Sequence, residues 1–441
     1  LWYFNYMEKN ILKQILFDEH QHWEAFKKKY GARIRPIVIK EVEKFRDCGN
    51  IKNGFKLLVC EGCHHTHLVP FRCKGRFCTT CSVGESEEWS RLLTEEVLQV
   101  NHRHIIFTID EGLRDIFLWH RELLKPLMDE AARLITDFFQ KKAKVTPGII
   151  AGLHTFGSKI NFNPHVHMMV TMGGITKKGE WKGYDFLPFT MLRKQWQTVV
   201  LKFIRRYLTK EEKKRIQSRL QKAFSRNGEG FYVYAPKQRG KIKEQLRYIG
   251  RYIRRPAIGM NRIEEYDGQF VTFKYIDKKD GKEKHEKVTV EEFISRLIRH
   301  IPDEQFKTIR YYGMYSRRSK KISKKLLTTW QKQVRKWVVK VQKVLRRQTW
   351  RERIIASGKK DPMICPHCGN YYEYMGEVCL EDGKLSVKIA LSRDAKIYME
   401  RMIDHITGCK QETKKRKEEK TRNRTYSPKE TVRQLSLFDV S

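Results

Sequence analysis

Cysteines at fixed short spacings constrain this chain more than any other feature. Cys60-x2-Cys63 and Cys78-x2-Cys81 are two thiol pairs with 14 residues between them. A knuckle of this kind turns two thiolates toward one point, and two knuckles complete a tetrahedral zinc site. A segment so equipped folds around an ion, and a structural zinc supplies on the order of 10 kcal/mol of folding energy. Cys48, Cys73 and one of His64, His65 or His67 are left over, enough for a second ion. Arg72, Lys74 and Arg76 lie between the ligands, suited to phosphate contacts. The ten cysteines fall in two clusters and no export signal is visible. That pattern points to metal in a reducing compartment and not to disulfides. The second cluster opens with Cys365-Pro366-His367-Cys368-Gly369, a further knuckle with candidate partners in Cys379, His405 and Cys409.

The charge indicates what such a chain meets. Lys and Arg number 91 against 51 Asp and Glu, a formal net charge of +40. A charge that large repels itself in a compact domain, so a polyanionic partner is expected. With no long apolar run in the sequence, nucleic acid is expected and a membrane is not. The chain opens on Leu1, which suggests a non-standard start codon or a trimmed terminus.

A candidate reaction centre lies in Asn163-Pro164-His165-Val166-His167-Met168-Met169-Val170. Side chains alternate across a strand, so His165 and His167 share a face and can hold a divalent cation. His154 ends the preceding apolar run, eleven residues upstream of His165. A hairpin through Gly157-Ser158-Lys159 would bring it to the same face. Three histidines leave positions open for a phosphate oxygen and water; phosphate ligands suit Mg²⁺ or Mn²⁺, and the nitrogen donors favour Mn²⁺. Downstream, Gln245-Leu246-Arg247-Tyr248-Ile249-Gly250-Arg251-Tyr252 reads as a helix. Tyr248 and Tyr252 stand at i and i+4 and share a face. Arg247, Arg251, Arg254 and Arg255 surround them, placed to hold phosphates and favour a phenolate. Gln245, one turn before the tyrosines, competes with His154 as third ligand. A tyrosine brought to a cation in this way can attack a phosphodiester. The bland alternative is a core helix with two half-buried tyrosines and structural histidines.

Strand-like runs at 104–109, 148–155 and 164–171 alternate with helical periodicity, which indicates an α+β fold with an antiparallel sheet. The expected organisation is N-terminal helices over 1–47, a zinc-binding module over 48–84 and a catalytic domain over 85–315 with its tyrosine helix at 237–255. A basic helical region over 316–360, a second cysteine module over 361–409 and a disordered basic tail over 410–441 follow.

The ensemble resembles the two-tyrosine HUH transposases of the insertion-sequence-91 family. The resemblance rests on Cys48, Cys60-Glu61-Gly62-Cys63, His67, Cys73-Lys74-Gly75-Arg76-Phe77-Cys78-Thr79-Thr80-Cys81, Leu153-His154-Thr155-Phe156-Gly157, Pro164-His165-Val166-His167, the tyrosine helix and Arg310-Tyr311-Tyr312-Gly313. It implies His67 as the zinc-module histidine, and an HUH endonuclease fold with the histidines on a central antiparallel sheet and the tyrosine helix packed below. Asn163 stands where many members carry another histidine. The resemblance also implies metal-assisted cleavage of single-stranded DNA at element ends and target sites through a 5′-phosphotyrosine, in rolling-circle-type transposition. The same chemistry would serve a plasmid replication initiator or relaxase, and a zinc protein that only binds nucleic acid is the non-enzymatic alternative. Gln434, Leu435, Leu437 and Phe438 look like the short peptide by which bacterial proteins dock on the sliding clamp. Cytoplasmic, nucleoid-associated work in a bacterium is expected.

Overall fold

A computed structural model describes residues 10–75, 77–97, 100–236, 242–253, 256–277, 280–316, 348–356 and 360–408. Arg254, Arg255, Cys409, the clamp-like Gln434, Leu435, Leu437 and Phe438, and most of the basic region over 316–360 lie outside them, as do the side chains of Gln245, Arg251 and Tyr252. The chain divides into two units, residues 1–46 with 74–347 and residues 47–73 with 348–441.

The larger unit is built on a five-stranded antiparallel sheet. In spatial order its strands are Ile309–Gly313, Gly148–Phe156, Phe162–Thr171, His102–Phe107 and Val233–Tyr234. The strands Gly148–Phe156 and Phe162–Thr171 are buried along nearly their whole length because both faces of the sheet are covered. On one face Ile105, Ile149, Ala151, Val166 and Met168 pack with Leu127, Ile135 and Phe139 of helix Leu124–Ala143 and with Trp196 and Phe203 of helix Phe189–Tyr207. On the other, Ile150 and Met169 pack with Leu93 of helix Thr79–Glu96 and with Leu246 and Ile249 of helix Ile242–Ile253. Those two helices approach closely at Gly250, where a Cβ would meet the Ser90 Oγ at 2.8 Å. The Ser90 hydroxyl donates to the Arg247 carbonyl at 3.0 Å and locks the contact. A three-stranded antiparallel sheet, Ile263–Tyr266, Phe270–Ile276 and Glu283–Thr289, and the helix Val290–Ile298 complete this unit together with three N-terminal helices, Ile11–Phe17, His22–Tyr30 and Pro36–Asp47.

The smaller unit joins segments far apart in sequence. Its antiparallel sheet runs Lys384–Ala390, Tyr372–Glu381, Gly54–Cys60, Thr66–Pro70. Helix Arg393–Thr407 covers one face with Ala395 and Met399 on Phe55, Leu57 and Val378. The segments that carry Cys60 and Cys63 and that follow Cys365 and Cys368, expected in separate modules, thus contribute strands to one sheet, with Cys60 opposite Tyr372. Among the described residues no helix is long and apolar enough to cross a membrane.

Candidate functional site

Register carries the histidines together. His154 pairs directly with His165 across the hairpin, and Gly152 pairs with His167. With period two, His154, His165 and His167 therefore lie on the face that also presents Ile150 and Met169, where the tyrosine-bearing helix packs. One ring nitrogen from each histidine falls within 4.8 Å of the others. Nitrogens bound at about 2.1 Å to one ion lie roughly 3 to 4 Å apart, so the donor set fits a single cation with small adjustments. His154 and His167 are buried and His165 is half-buried.

Hydrogen bonds orient two of the rings. The His165 Nδ1–H donates to the Asn163 carbonyl at 2.7 Å, leaving Nε2 as the ligand atom. His167 Nδ1 lies 2.8 Å from His104 Nε2 on the neighbouring strand, with the two rings stacked at 5.0 Å. Burial, with a smaller contribution from His165, pushes the His104 pKa down to about 4. Neutral His104 can then accept from the His167 Nδ1–H and direct His167 Nε2 outward. Sequence reasoning missed His104, although His102-Arg103-His104 repeats the alternation of His165 and His167 in another apolar run.

Tyr248 is exposed on the helix Ile242–Ile253, whose backbone also carries Gln245, Arg247, Arg251 and Tyr252. Of the neighbouring tyrosines, Tyr311 packs at the margin of the same face. Tyr312 packs on the opposite one, where its hydroxyl donates to Asp129 at 2.8 Å and burial raises its pKa.

Buried histidines elsewhere in this unit make it acid-sensitive. The His102 Nδ1–H donates to the Val100 carbonyl and the His300 Nε2–H to the Ile160 carbonyl, yet burial pushes both pKa values down to about 4. An unfolded histidine titrates near 6.5, so the unfolded chain binds more protons than the folded one between the two values. The stability present above pH 6.5 is lost as pH falls toward 4, at up to about 2.7 kcal/mol per pH unit for two groups. Urea midpoints of the larger unit across this range should fall accordingly, and His300→Gln should remove part of the slope.

The thiols of the smaller unit form a second constellation. Cys60, Cys63, Cys365 and Cys368 place their sulfurs within 4.8 Å of one another. Cys60 and Cys368 are separated by 3.3 Å, Cys63 and Cys365 by 3.6 Å. Four sulfurs about 2.3 Å from a tetrahedral zinc lie about 3.8 Å apart, so the cluster fits that ion. The two knuckles share one backbone design. The Cys60 N–H donates to His65 O and the His64 N–H returns to Cys60 O; Cys365 to Asn370 and Gly369 to Cys365 repeat this. His64 at φ 56° and Gly369 at φ 78° occupy the same left-handed position of the turn. Burial raises the Cys365 thiol, but the Cys368 and His367 N–H groups, with Tyr372 and Cys63, together outweigh it and hold the pKa at about 6.

The pairing differs from the expected one, which set Cys60 and Cys63 with Cys78 and Cys81. Cys365 and Cys368 take that place, because the strands they adjoin run beside Gly54–Cys60. Of their expected partners, Cys379 belongs to none of the described thiol clusters and His405 is exposed on its helix. His67 also stays outside the sulfur cluster, its ring 5.6 Å from that of Tyr372. Cys48 and Cys73 belong to the smaller unit, where the Cys73 N–H approaches the Cys48 Sγ at 3.4 Å. Cys78 and Cys81 belong to the larger, where Cys78 caps helix Thr79–Glu96 through the Cys81 N–H.

Comparison with known proteins bears on both sites. A family model described as "Transposase zinc-binding domain" matches residues 19–109, and one described as "Putative transposase" matches residues 148–323, the span of the histidine hairpin and the tyrosine helix. Together these matches support an insertion-sequence-91-family transposase with an N-terminal zinc-binding domain. Among curated family relatives, it is 27% identical over 320 residues to the transposase for insertion sequence element IS801 of Pseudomonas savastanoi pv. phaseolicola, covering 69% of this chain and 76% of that protein. It is also 27% identical over 291 residues to "Putative transposase y4qJ" of Sinorhizobium fredii (strain NBRC 101917 / NGR234), covering 62% and 72%. No solved structure matches this chain significantly.

Proposed function

We propose that this transposase is an HUH-type nuclease that cuts and rejoins single-stranded DNA through a 5′-phosphotyrosine, as rolling-circle transposition requires. The observation that carries the reading is the convergence of His154, His165 and His167 on the sheet face where the Tyr248 helix packs. The three imidazoles would hold Mg²⁺ or Mn²⁺, which when bound polarises a phosphate oxygen and neutralises developing charge. A Tyr248 or Tyr252 oxygen attacks the scissile phosphorus; the Tyr O–P bond forms, the P–O3′ bond breaks, and the leaving oxygen takes a proton to become a 3′-hydroxyl. Bond energy is conserved in the adduct, so a 3′-hydroxyl can reverse the step on another strand without ATP. Arg247 and its neighbours Arg251, Arg254 and Arg255 bind the flanking phosphates. Two tyrosines allow one to hold the donor strand while the other cuts the target. Incubation of the full chain with single strands from the DNA flanking its gene, with Mg²⁺ or Mn²⁺, tests the reading by a covalent protein–DNA band in denaturing gels.

His104 acts in this reading as a positioning residue for His167. His104→Phe should weaken Mn²⁺ binding by roughly 10- to 100-fold in a titration without DNA. His104→Gln, whose carbonyl can accept the same N–H, should recover most of that loss. In our reading the Cys60–Cys63–Cys365–Cys368 cluster holds one structural zinc. The tail peptide at Gln434, Leu435, Leu437 and Phe438 docks the enzyme on the sliding clamp, where replication exposes single strands.

A further inference from the structure

We propose that a cavity beside His154 receives one unpaired base of the strand being cut; this rests on the DNA-cleaving reading above. The cavity, about 350 Å³, lies wholly within the larger unit. His154 itself forms part of its wall, and so do Pro256, Ala257 and Ile258, the residues that leave the tyrosine helix. Whatever fills it therefore sits beside the candidate cation site and next to the nucleophile-bearing segment. At the small end of the range for small-molecule pockets (roughly 300–1,000 Å³), it suits one nucleoside and excludes a helix or folded peptide.

The lining has the chemistry of base recognition. Trp89 and Phe156 supply aromatic surface from two elements, the helix Thr79–Glu96 and the strand Gly148–Phe156. Ser82 and Ser86 line the cavity from the same face of that helix as Trp89, spaced by four and three residues. Thr79 contributes a hydroxyl oxygen that is buried and has no hydrogen-bond partner among the described residues, on a side chain only 4% exposed. A buried hydroxyl left unpaired costs about 1–3 kcal/mol, and a small turn of the Thr79 side chain toward the cavity would give it a partner on a bound base edge. Lys307, also in the lining, is exposed and can meet a phosphate of the same strand. Aromatic and apolar surface, hydroxyls and an exposed lysine in one lining suit a base with its phosphate, and a single unstacked base is available only in unpaired DNA.

The test moves one abasic site through successive positions around the cut in single strands taken from the DNA flanking the gene. Each strand is scored for adduct formation with the full chain and, separately, for binding by fluorescence anisotropy. One position should stand out with a loss on the order of 10- to 100-fold. Ser82→Phe, which fills the cavity from the helix wall, should lose a similar factor on the intact strand and cut the strand abasic at that position as well as the unaltered enzyme does. Should Ser82→Phe fail to fold, Trp89→Leu, which keeps an apolar wall but removes the stacking plane, should show the same indifference. A flat abasic profile in both readouts, with adduct still forming, overturns the cavity and leaves the cleavage reading standing. No adduct on any strand, with binding still lost at one position, keeps the cavity and defeats the cleavage reading.

Discussion

Replacing Cys365 and Cys368 together by serine is expected to unfold the smaller unit while the larger one keeps its own transition. Among the described residues the smaller unit buries two small apolar clusters, Phe55, Leu57, Leu68, Val378, Ala395 and Met399 under its helix and Leu58, Met363 and Tyr372 beside the thiols. Its two segments are separated by residues 74–347, so their sheet closes a long loop at an entropic cost. Apparent binding energies for structural zinc run to about 10–16 kcal/mol, comparable to the whole stability of a typical domain. Losing the ion therefore removes most of what holds strand Tyr372–Glu381 to strand Gly54–Cys60. Metal analysis should show one zinc fewer per chain, and limited proteolysis should open cleavage sites within 372–390. A variant that keeps its full zinc content and protease resistance would count against this cluster as the binding site.

The second large effect is expected from His165→Ala with His167→Ala. Polarisation by a bound cation is worth several kcal/mol in the transition state, so adduct formation should fall by about a thousandfold or more. Residues that act as one unit are not additive, and each single change should cost nearly as much as the pair. Zinc content should be unaltered, because the cysteine cluster lies in the other unit. Loss of activity together with loss of zinc or of the folded baseline would assign these histidines a structural role instead.

How much of this could be read from the chain differs by element. His165 and His167 were legible because an alternating pair in an apolar run has one physical interpretation, a shared strand face. His154 followed from the length of the connection between two runs, and the hairpin pairs it with His165. His104 was not legible in the same way: it reaches His167 only because its strand lies beside Phe162–Thr171, which no local pattern encodes. The zinc knuckles show the same limit more sharply. Spacing identifies Cys60-x2-Cys63, Cys78-x2-Cys81 and Cys365-x2-Cys368 as knuckles but cannot say which two share an ion. The pairing of Cys60–Cys63 with Cys365–Cys368 is decided by an antiparallel strand contact between distant segments. The helix Ile242–Ile253 was legible from its periodicity, while its docking on Ile150 and Met169 depended on tertiary packing and on the close approach that Gly250 permits.

The most direct measurement is the site of the covalent link. The full chain is reacted with a single strand from the flanking DNA, digested with nuclease and protease, and mapped by mass spectrometry. A deoxynucleotide 5′-phosphate is expected on Tyr248 or Tyr252, abolished when both are phenylalanine and dependent on His165 and His167. A phosphate found instead on Tyr311, or an adduct that forms undiminished without both histidines, would contradict this expectation.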